Sequence, residues 1–212
     1  TQILPVWPAL NRVARAYYQS RAEKLPCPVI SVGNLVAGGV GKTEVVASLA
    51  NYYISKGKRV TVALRGYKSK WQQTGGFAKN FEEATLRNFP DEAIVLLKKC
   101  PGLSVCVGKE RMHWLKTFWK DLDPQLIILD DGYQHFKIHR DIDVLVHDFS
   151  AKDLVFRDFF SEIENSDFRV SLSKVPQQWQ HLEWAQASYQ LSDIVDGLGK
   201  TYLDQILKTK EV

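Results

Sequence analysis

The sequence predicts an α/β fold: a doubly wound, mostly parallel sheet flanked by helices. Three observations carry this. Apolar runs of strand length alternate with helical stretches along most of the 212 residues, with no internal repeat. A strand, a glycine-rich turn and a helix follow one another in PVISVGNLVAGGVGKTEVV, residues 28–46. A third run, QLIILDD, ends abruptly in two aspartates.

The first stretch, ILPVWPALNRVARAYYQSRAEK (3–24), predicts a helix with Leu10, Val13, Ala14, Tyr17 and Tyr18 on one face and arginines elsewhere. Two readings are open: a basic amphipathic helix lying on an anionic membrane, or a helix packed on the domain. PVISVG is a buried strand, and GKTEVVASLANYYISKG a helix ending at Gly57. RVTVAL (59–64) is the next strand, followed by a polar loop, RGYKSKWQQTGGFAKN, long enough to be functional or mobile. Residues 91–100 and 109–120 predict helices around a strand at LSVCV (103–107). QLIILDD (125–131) and DIDVLVHD (141–148) are apolar strands of the kind covered on both faces. FRVSL (168–172) is a further strand, and KTYLDQILK a last helix. The expected division is an N-terminal helix over 1–25, a core over 26–150, and a reduced C-terminal region over 151–212.

Composition narrows the class. With 45% hydrophobic and 25% charged residues, the chain has enough apolar surface for one domain with a real core. A net charge of +4 suits an anionic ligand or membrane surface, and no nucleic-acid partner is expected. The three cysteines, Cys27, Cys100 and Cys106, form no CxxC pair, which points to a reducing compartment without a zinc site. No apolar run approaches the roughly 18 residues of a spanning helix. No signal peptide is legible, and Thr1 in place of Met points to trimming at the start.

The chemistry lies in two motifs. Gly38, Gly39, Val40, Gly41, Lys42 and Thr43 form a phosphate-binding loop of the P-loop NTPase kind. Glycines let backbone N–H groups converge on an anion at a helix start; Lys42 would reach the β- and γ-phosphates, and the Thr43 hydroxyl would hold Mg²⁺. The usual glycine five residues before Gly41 is replaced by Val36, leaving the flexible positions closer to the lysine. Gly199-Lys200-Thr201 repeats the tripeptide without a preceding apolar strand, and helix initiation accounts for it. Asp130 and Asp131 end a strand where parallel sheets bind ligands, so either carboxylate would serve Mg²⁺. ATP and Mg²⁺ are therefore the expected cofactors.

These segments resemble the tetraacyldisaccharide 4′-kinases, a family of P-loop kinases of lipid A biosynthesis. LPCPVISVGNLVAGGVGKT is similar to that family's strand and loop, including the absent first glycine. ALRGYK resembles its SRGYG, with Lys68 in place of glycine; PDEAIVLL resembles its GDEP-LL, and VGKER its VG-x-x-R. LDDGYQHFKIHRDIDVLV, matching LDDGFQH-x-x-x-x-RDLDIVLV, is the most specific piece. The likeness is good over residues 4–148 and fades afterwards.

The resemblance implies phosphorylation of the 4′-hydroxyl of a lipid A disaccharide precursor at the cytoplasmic face of the bacterial inner membrane, with the N-terminal helix as membrane contact. It also implies that Asp91 is the catalytic base, and that Arg65, Gln134 and His135 lie towards the acceptor. Read without it, Asp91 is better explained as an N-cap than as a base, and for His135 two readings stay open, a site residue or an ordinary polar residue after a strand. The family's late Asp-His-His segment finds no counterpart, since His181 lies in an unrelated context, QQWQHLEW, and Ser161 stands where its PAGPLRE arginine would align. A non-catalytic nucleotide-binding module of the same fold is thus the main alternative. A ParA/MinD-like switch is disfavoured by Ala37 at the position of that group's signature lysine. The oligomeric state stays open.

Overall fold

The computed structural model describes residues 21–34, 41–132, 135, 137–150, 163 and 165–187. The predicted helix over 3–20, Gly38, Gly39, Val40, Gln134, the Gly199–Thr201 tripeptide and the final helix lie outside these residues. Strands β1 (Val29–Gly33), β2 (Val60–Leu64), β3 (Gly76–Ala78), β4 (Ser104–Val107), β5 (Leu126–Asp130), β6 (Ile142–His147), β7 (Phe168–Ser171) and β8 (Ala185–Gln186) form one sheet. Its order is β3-β4-β2-β5-β1-β6-β7-β8, and every pairing is parallel except β3 with β4.

The continuous apolar runs are explained by cover on both faces. In β5, Leu126 and Ile128 point to one side, into a core with Val46, Ala47 and Ala50 of α1 (Lys42–Ser55) and Ala93, Leu96 and Leu97 of α4 (Asp91–Lys99). Ile127 and Leu129 point to the other, against Leu115 of α5 (Arg111–Thr117) and Leu122 of α6 (Trp119–Leu122). Ile127, Ile128 and Leu129 are fully buried; each such side chain stabilises the fold by roughly 1.5–3 kcal/mol. A smaller cluster of Leu145 and Ile163 with Phe149, Trp179, Leu182 and Trp184 supports the β6–β8 end.

Two expectations are corrected. The 65–80 stretch is not an unstructured loop: it contains α2 (Trp71–Thr74) and β3, which closes the sheet edge against β4. The first helix does not run to residue 24, because Glu23 is extended and bridges Ile138, with Glu23 N–H donating to Lys137 O and His139 N–H to Glu23 O. Pro26 and Pro28 disfavour helical backbone just after it. Helix α3 (Phe81–Leu86) had no sequence assignment; Asn80 caps it, its Oδ1 accepting from Glu83 N–H at 2.8 Å. Among the described residues, no helix is long and apolar enough to cross a membrane.

The turn between α2 and β3 depends on glycine. Gly75 has φ 62° and ψ 162°, a region essentially closed to other residues. A Cβ there would sit 2.1 Å from the Trp114 ring. Gly75→Ala is expected to destabilise the fold by about 3 kcal/mol, read as a lower urea midpoint; an unchanged midpoint would show that this turn does not constrain the edge strand.

Candidate functional site

All the groups singled out from sequence and also described lie along one sheet edge, that of the strand C-termini. The reason is topological. β1 is flanked by β5 and β6, so the chain leaves it in one direction to reach β2 and β5 and later returns on the other side to β6. Such a switch opens a crevice beyond the strand ends. In the β1–β5 register, Val32 lies opposite Asp130. The residues after each, Gly33-Asn34 and Asp131-Gly132, are therefore neighbours, tied by Gly132 N–H donating to Val32 O at 3.1 Å.

Lys42 opens α1, and Gly41 before it is left-handed at φ 70°, bending the chain into the helix. The Lys42 ammonium is fixed: Nζ donates to Asn34 Oδ1 at 2.9 Å and pairs with Asp131 Oδ1 at 3.4 Å. Asn34 is fully buried at the end of β1. Thr43 follows Lys42 in the first turn. Asp131 turns the chain out of β5 with a left-handed φ of 49°, and its N–H donates to Asp130 Oδ1 at 2.9 Å.

Asp130 is 7% exposed, and burial pushes its carboxyl up to about 6. Lys42 and Arg111 counter that rise, whereas Glu92 and Asp131 add to it. Arg111, at the start of α5, is 4% exposed, and its Nη1 donates to Asp131 O at 3.2 Å. Burial lowers its pKa, while the nearby Asp130 and Asp131 carboxylates hold its charge in place. Arg65 lies close enough for its charge to act on Arg111. His135 is half-buried, and desolvation, followed by the Arg111 charge, pushes its imidazole down to about 3. It is a neutral ring at neutral pH.

The structure thus brings Lys42, Asp130 and Asp131 together, with Arg65 and His135 at their flank. Asp91 stands apart. It is an exposed first residue of α4 rather than its cap, since Pro90 occupies that place and Asp91 makes no capping hydrogen bond. Because α4 runs back against the parallel strands, its start still lies at the same edge. Glu92, not Asp91, is felt electrostatically by Asp130 and Arg111. Asn34, Glu92 and Arg111 had no assignment from sequence, although each sits inside a quoted motif: SVGNL, PDEAIVLL and VGKER.

The carboxylates at the crevice are of the kind that suits Mg²⁺. Among the described residues, no group of three or more His, Cys, Asp or Glu side chains converges on a point. Mg²⁺ is commonly held by one or two carboxylates together with substrate phosphates. Two adjacent carboxylates beside a helix-opening Lys-Thr pair fit that description.

The comparisons now bear on this arrangement. The family model for tetraacyldisaccharide-1-P 4'-kinase (LpxK) matches residues 5–156. The chain belongs to this kinase family. A tetraacyldisaccharide 4'-kinase of Geobacter sulfurreducens is 39% identical over 141 residues, 66% of this chain and 40% of that protein. One from Aquifex aeolicus is 41% identical over 140 residues, 63% of this chain and 42% of that protein. A crystal structure of Aquifex aeolicus LpxK in complex with ATP has a TM-score of 0.66 and 30% identity, covering 86% of this chain and 60% of that one. The chain spans about two fifths of the length of these curated relatives. Of the kinase family's motifs, Gly41-Lys42-Thr43 and the paired aspartates stand at the crevice.

Two predictions follow from the electrostatics. Asp130 binds its proton more tightly folded than unfolded, so its stabilisation is present below about pH 4 and lost as pH rises through 6. With metal chelated, Asp130→Asn should therefore be more stable than the native chain at pH 7.5 by about 2–3 kcal/mol. The gain should shrink towards zero near pH 4 in urea titrations; a gain independent of pH would refute the assignment. His135 has the opposite sign, which is why the difference between the two chains is the quantity to read. Arg111→Met should cost about 3 kcal/mol at neutral pH by leaving the buried carboxylate uncompensated.

Proposed function

We propose that this chain transfers the γ-phosphate of ATP to the 4′-hydroxyl of a tetraacyldisaccharide 1-phosphate, a lipid A precursor. The observation that carries this reading is Lys42, held between Asn34 and Asp131 where β1, α1 and β5 meet. A cation fixed there is positioned for the β- and γ-phosphates of a nucleotide whose phosphates sit at the α1 start. Membership of the kinase family supplies the substrate class, and the related structure with ATP supports the nucleotide.

Thr43, Asp130 and Asp131 would hold Mg²⁺, which when bound neutralises charge on the β- and γ-phosphate oxygens. Lys42 stabilises the same oxygens from the loop side. Arg111, bonded to the Asp131 carbonyl, would keep Asp130 and Asp131 in position at the strand end. Asp91 would accept the proton of the attacking hydroxyl, and Arg65, Gln134 and His135 would face the acceptor. Phosphoryl transfer depends chiefly on position and charge, so the proton acceptor supplies a smaller share. The proposed setting is the cytoplasmic face of the bacterial inner membrane, with residues 1–25 as a peripheral contact.

A second reading is a nucleotide-binding module without turnover, since the family likeness stops at residue 156 and residues 157–212 lie beyond it. One assay separates the two. Purified chain with ATP, Mg²⁺ and the lipid disaccharide should give 4′-phosphorylated product. Lys42→Ala should abolish transfer, and Asp91→Asn should lower kcat by about 10²-fold or more with nucleotide affinity unchanged. Nucleotide binding without product, under conditions where a full-length relative works, would overturn the kinase reading in favour of the module.

A further inference from the structure

We propose that the Arg65–Lys70 turn is a second membrane contact, docking the site-bearing edge on an anionic lipid surface. The proposal rests on the acceptor being a membrane lipid, as proposed above. The turn leaves the C-terminal end of β2, and so stands at the same edge as Lys42 and the aspartates.

Its tip presents an aromatic ring and free cations outward. Tyr67 is 62% exposed, among the most exposed large side chains described. Lys68 lies over its ring, with Nζ 5.3 Å from the centroid. Lys70 Nζ lies 4.9 Å from the Trp71 ring. Lys68, Lys70 and the neighbouring Lys109 are exposed and have no ion pair with an acidic side chain among the described residues. Exposed Lys99, Lys116 and Lys137 do have such partners, while Lys56 and Lys58 at the opposite edge have none among the described residues, so what sets this turn apart is its place at the site-bearing edge.

The tip is also held in shape. Lys68 adopts a left-handed φ of 58°, its N–H donates to Gln72 Oε1 at 3.0 Å, and Ser69 Oγ donates to Gly66 O at 2.8 Å. Lys109 N–H donates to Gln72 O at 2.8 Å, tying the turn to the loop after β4. A pre-shaped tip loses little entropy on docking. Tyrosine prefers the headgroup level of a bilayer, and lysines near an anionic surface are attracted to it. Three lysines beside an exposed tyrosine, at the edge where a lipid acceptor would arrive, suit an anionic bilayer. Docking here would turn the crevice towards the layer that holds the acceptor.

The test is vesicle flotation of the full chain, comparing Lys68→Gln/Lys70→Gln and Tyr67→Ala with the native protein. The matched control is Lys56→Gln/Lys58→Gln at the opposite edge, where Lys56 also lies over an exposed tyrosine, Tyr52, at 5.6 Å. On vesicles of phosphatidylcholine with about one third phosphatidylglycerol, the turn variants should partition about tenfold less, and the control pair should match native. Amide exchange over residues 65–72 of the native chain should slow on these vesicles and not on pure phosphatidylcholine. Equal loss in both lysine pairs, or no loss and no slowing, would overturn the proposal. So would unchanged partition combined with a raised acceptor KM in neutral detergent, which would make the turn a subsite for the acceptor's own phosphate. Flotation needs no turnover, so a failed kinase assay leaves this result standing separately.

Discussion

The parallel pairing of β1 with β5 is the constraint on which the site depends. Its register sets Val32 against Asp130, so the end of the phosphate-loop strand and the paired aspartates emerge side by side. Hydrophobic alternation does not choose this register, because LIIL is apolar on both faces and would survive a one-residue slip. Polar brackets choose it instead. At one end of β5, Gln125 Oε1 accepts from Arg59 N–H at 3.1 Å, fixing β5 against β2, while on the other side of β1 Asp141 Oδ2 accepts from Val29 N–H at 2.8 Å, fixing β6 against β1. At the other end, Gly132 N–H reaches Val32 O. A one-residue slip of β5 would break the Gln125–Arg59 and Gly132–Val32 bonds and drive Asp130 or Gln125 into the core, a cost of several kcal/mol.

The site that results is costly to hold. A carboxylate raised to about 6 and a buried guanidinium lie within one small region. Each would be unfavourable alone; together with Lys42 they offset part of one another's desolvation. Arg111 links the two layers, for it opens α5 and bonds the carbonyl of Asp131. The cysteines play no part. All three are free, and burial pushes Cys27 up to about 11 and Cys106 to about 12, far from a reactive thiolate.

Much of the fold was legible because strands buried on both faces read as unbroken apolar runs, and because Gly57 and the glycines before Lys42 punctuate α1. Local rules failed where structure is short or borrowed. β3 has three residues, GFA, and exists as a strand only through β4. α3 is announced only by the Asn80-x-x-Glu83 spacing that caps it, a signal of two residues. In the site, Lys42, Thr43, Asp130 and Asp131 were legible from motifs. Arg111 and Asn34 were not, since what singles them out is burial, which arises only when β1, β5 and α5 meet. Asp91 shows the converse: its place after Pro90 suggested a cap, yet it is the first helical residue, and its neighbour Glu92 is the one the buried carboxylate senses.

Strand order also divides the labour in the proposed reaction. β5 lies between β1 and β2, so its aspartates stand between the loop that would take the nucleotide and the turn bearing Arg65. The start of α4, with Asp91 and Glu92, reaches the edge on the β2–β4 side. A phosphoryl group passing from nucleotide to acceptor would therefore cross above the end of β5. There Asp130 and Asp131, held by Arg111 and Lys42, place their charge where a metal-bound phosphate would need it. An acceptor approaching from the β6 side would meet neither Arg65 nor Asp91. In the proposed reaction, a direction of transfer from β1 across β5 towards β2 would thus follow from the strand order together with the places of Arg65 and Asp91.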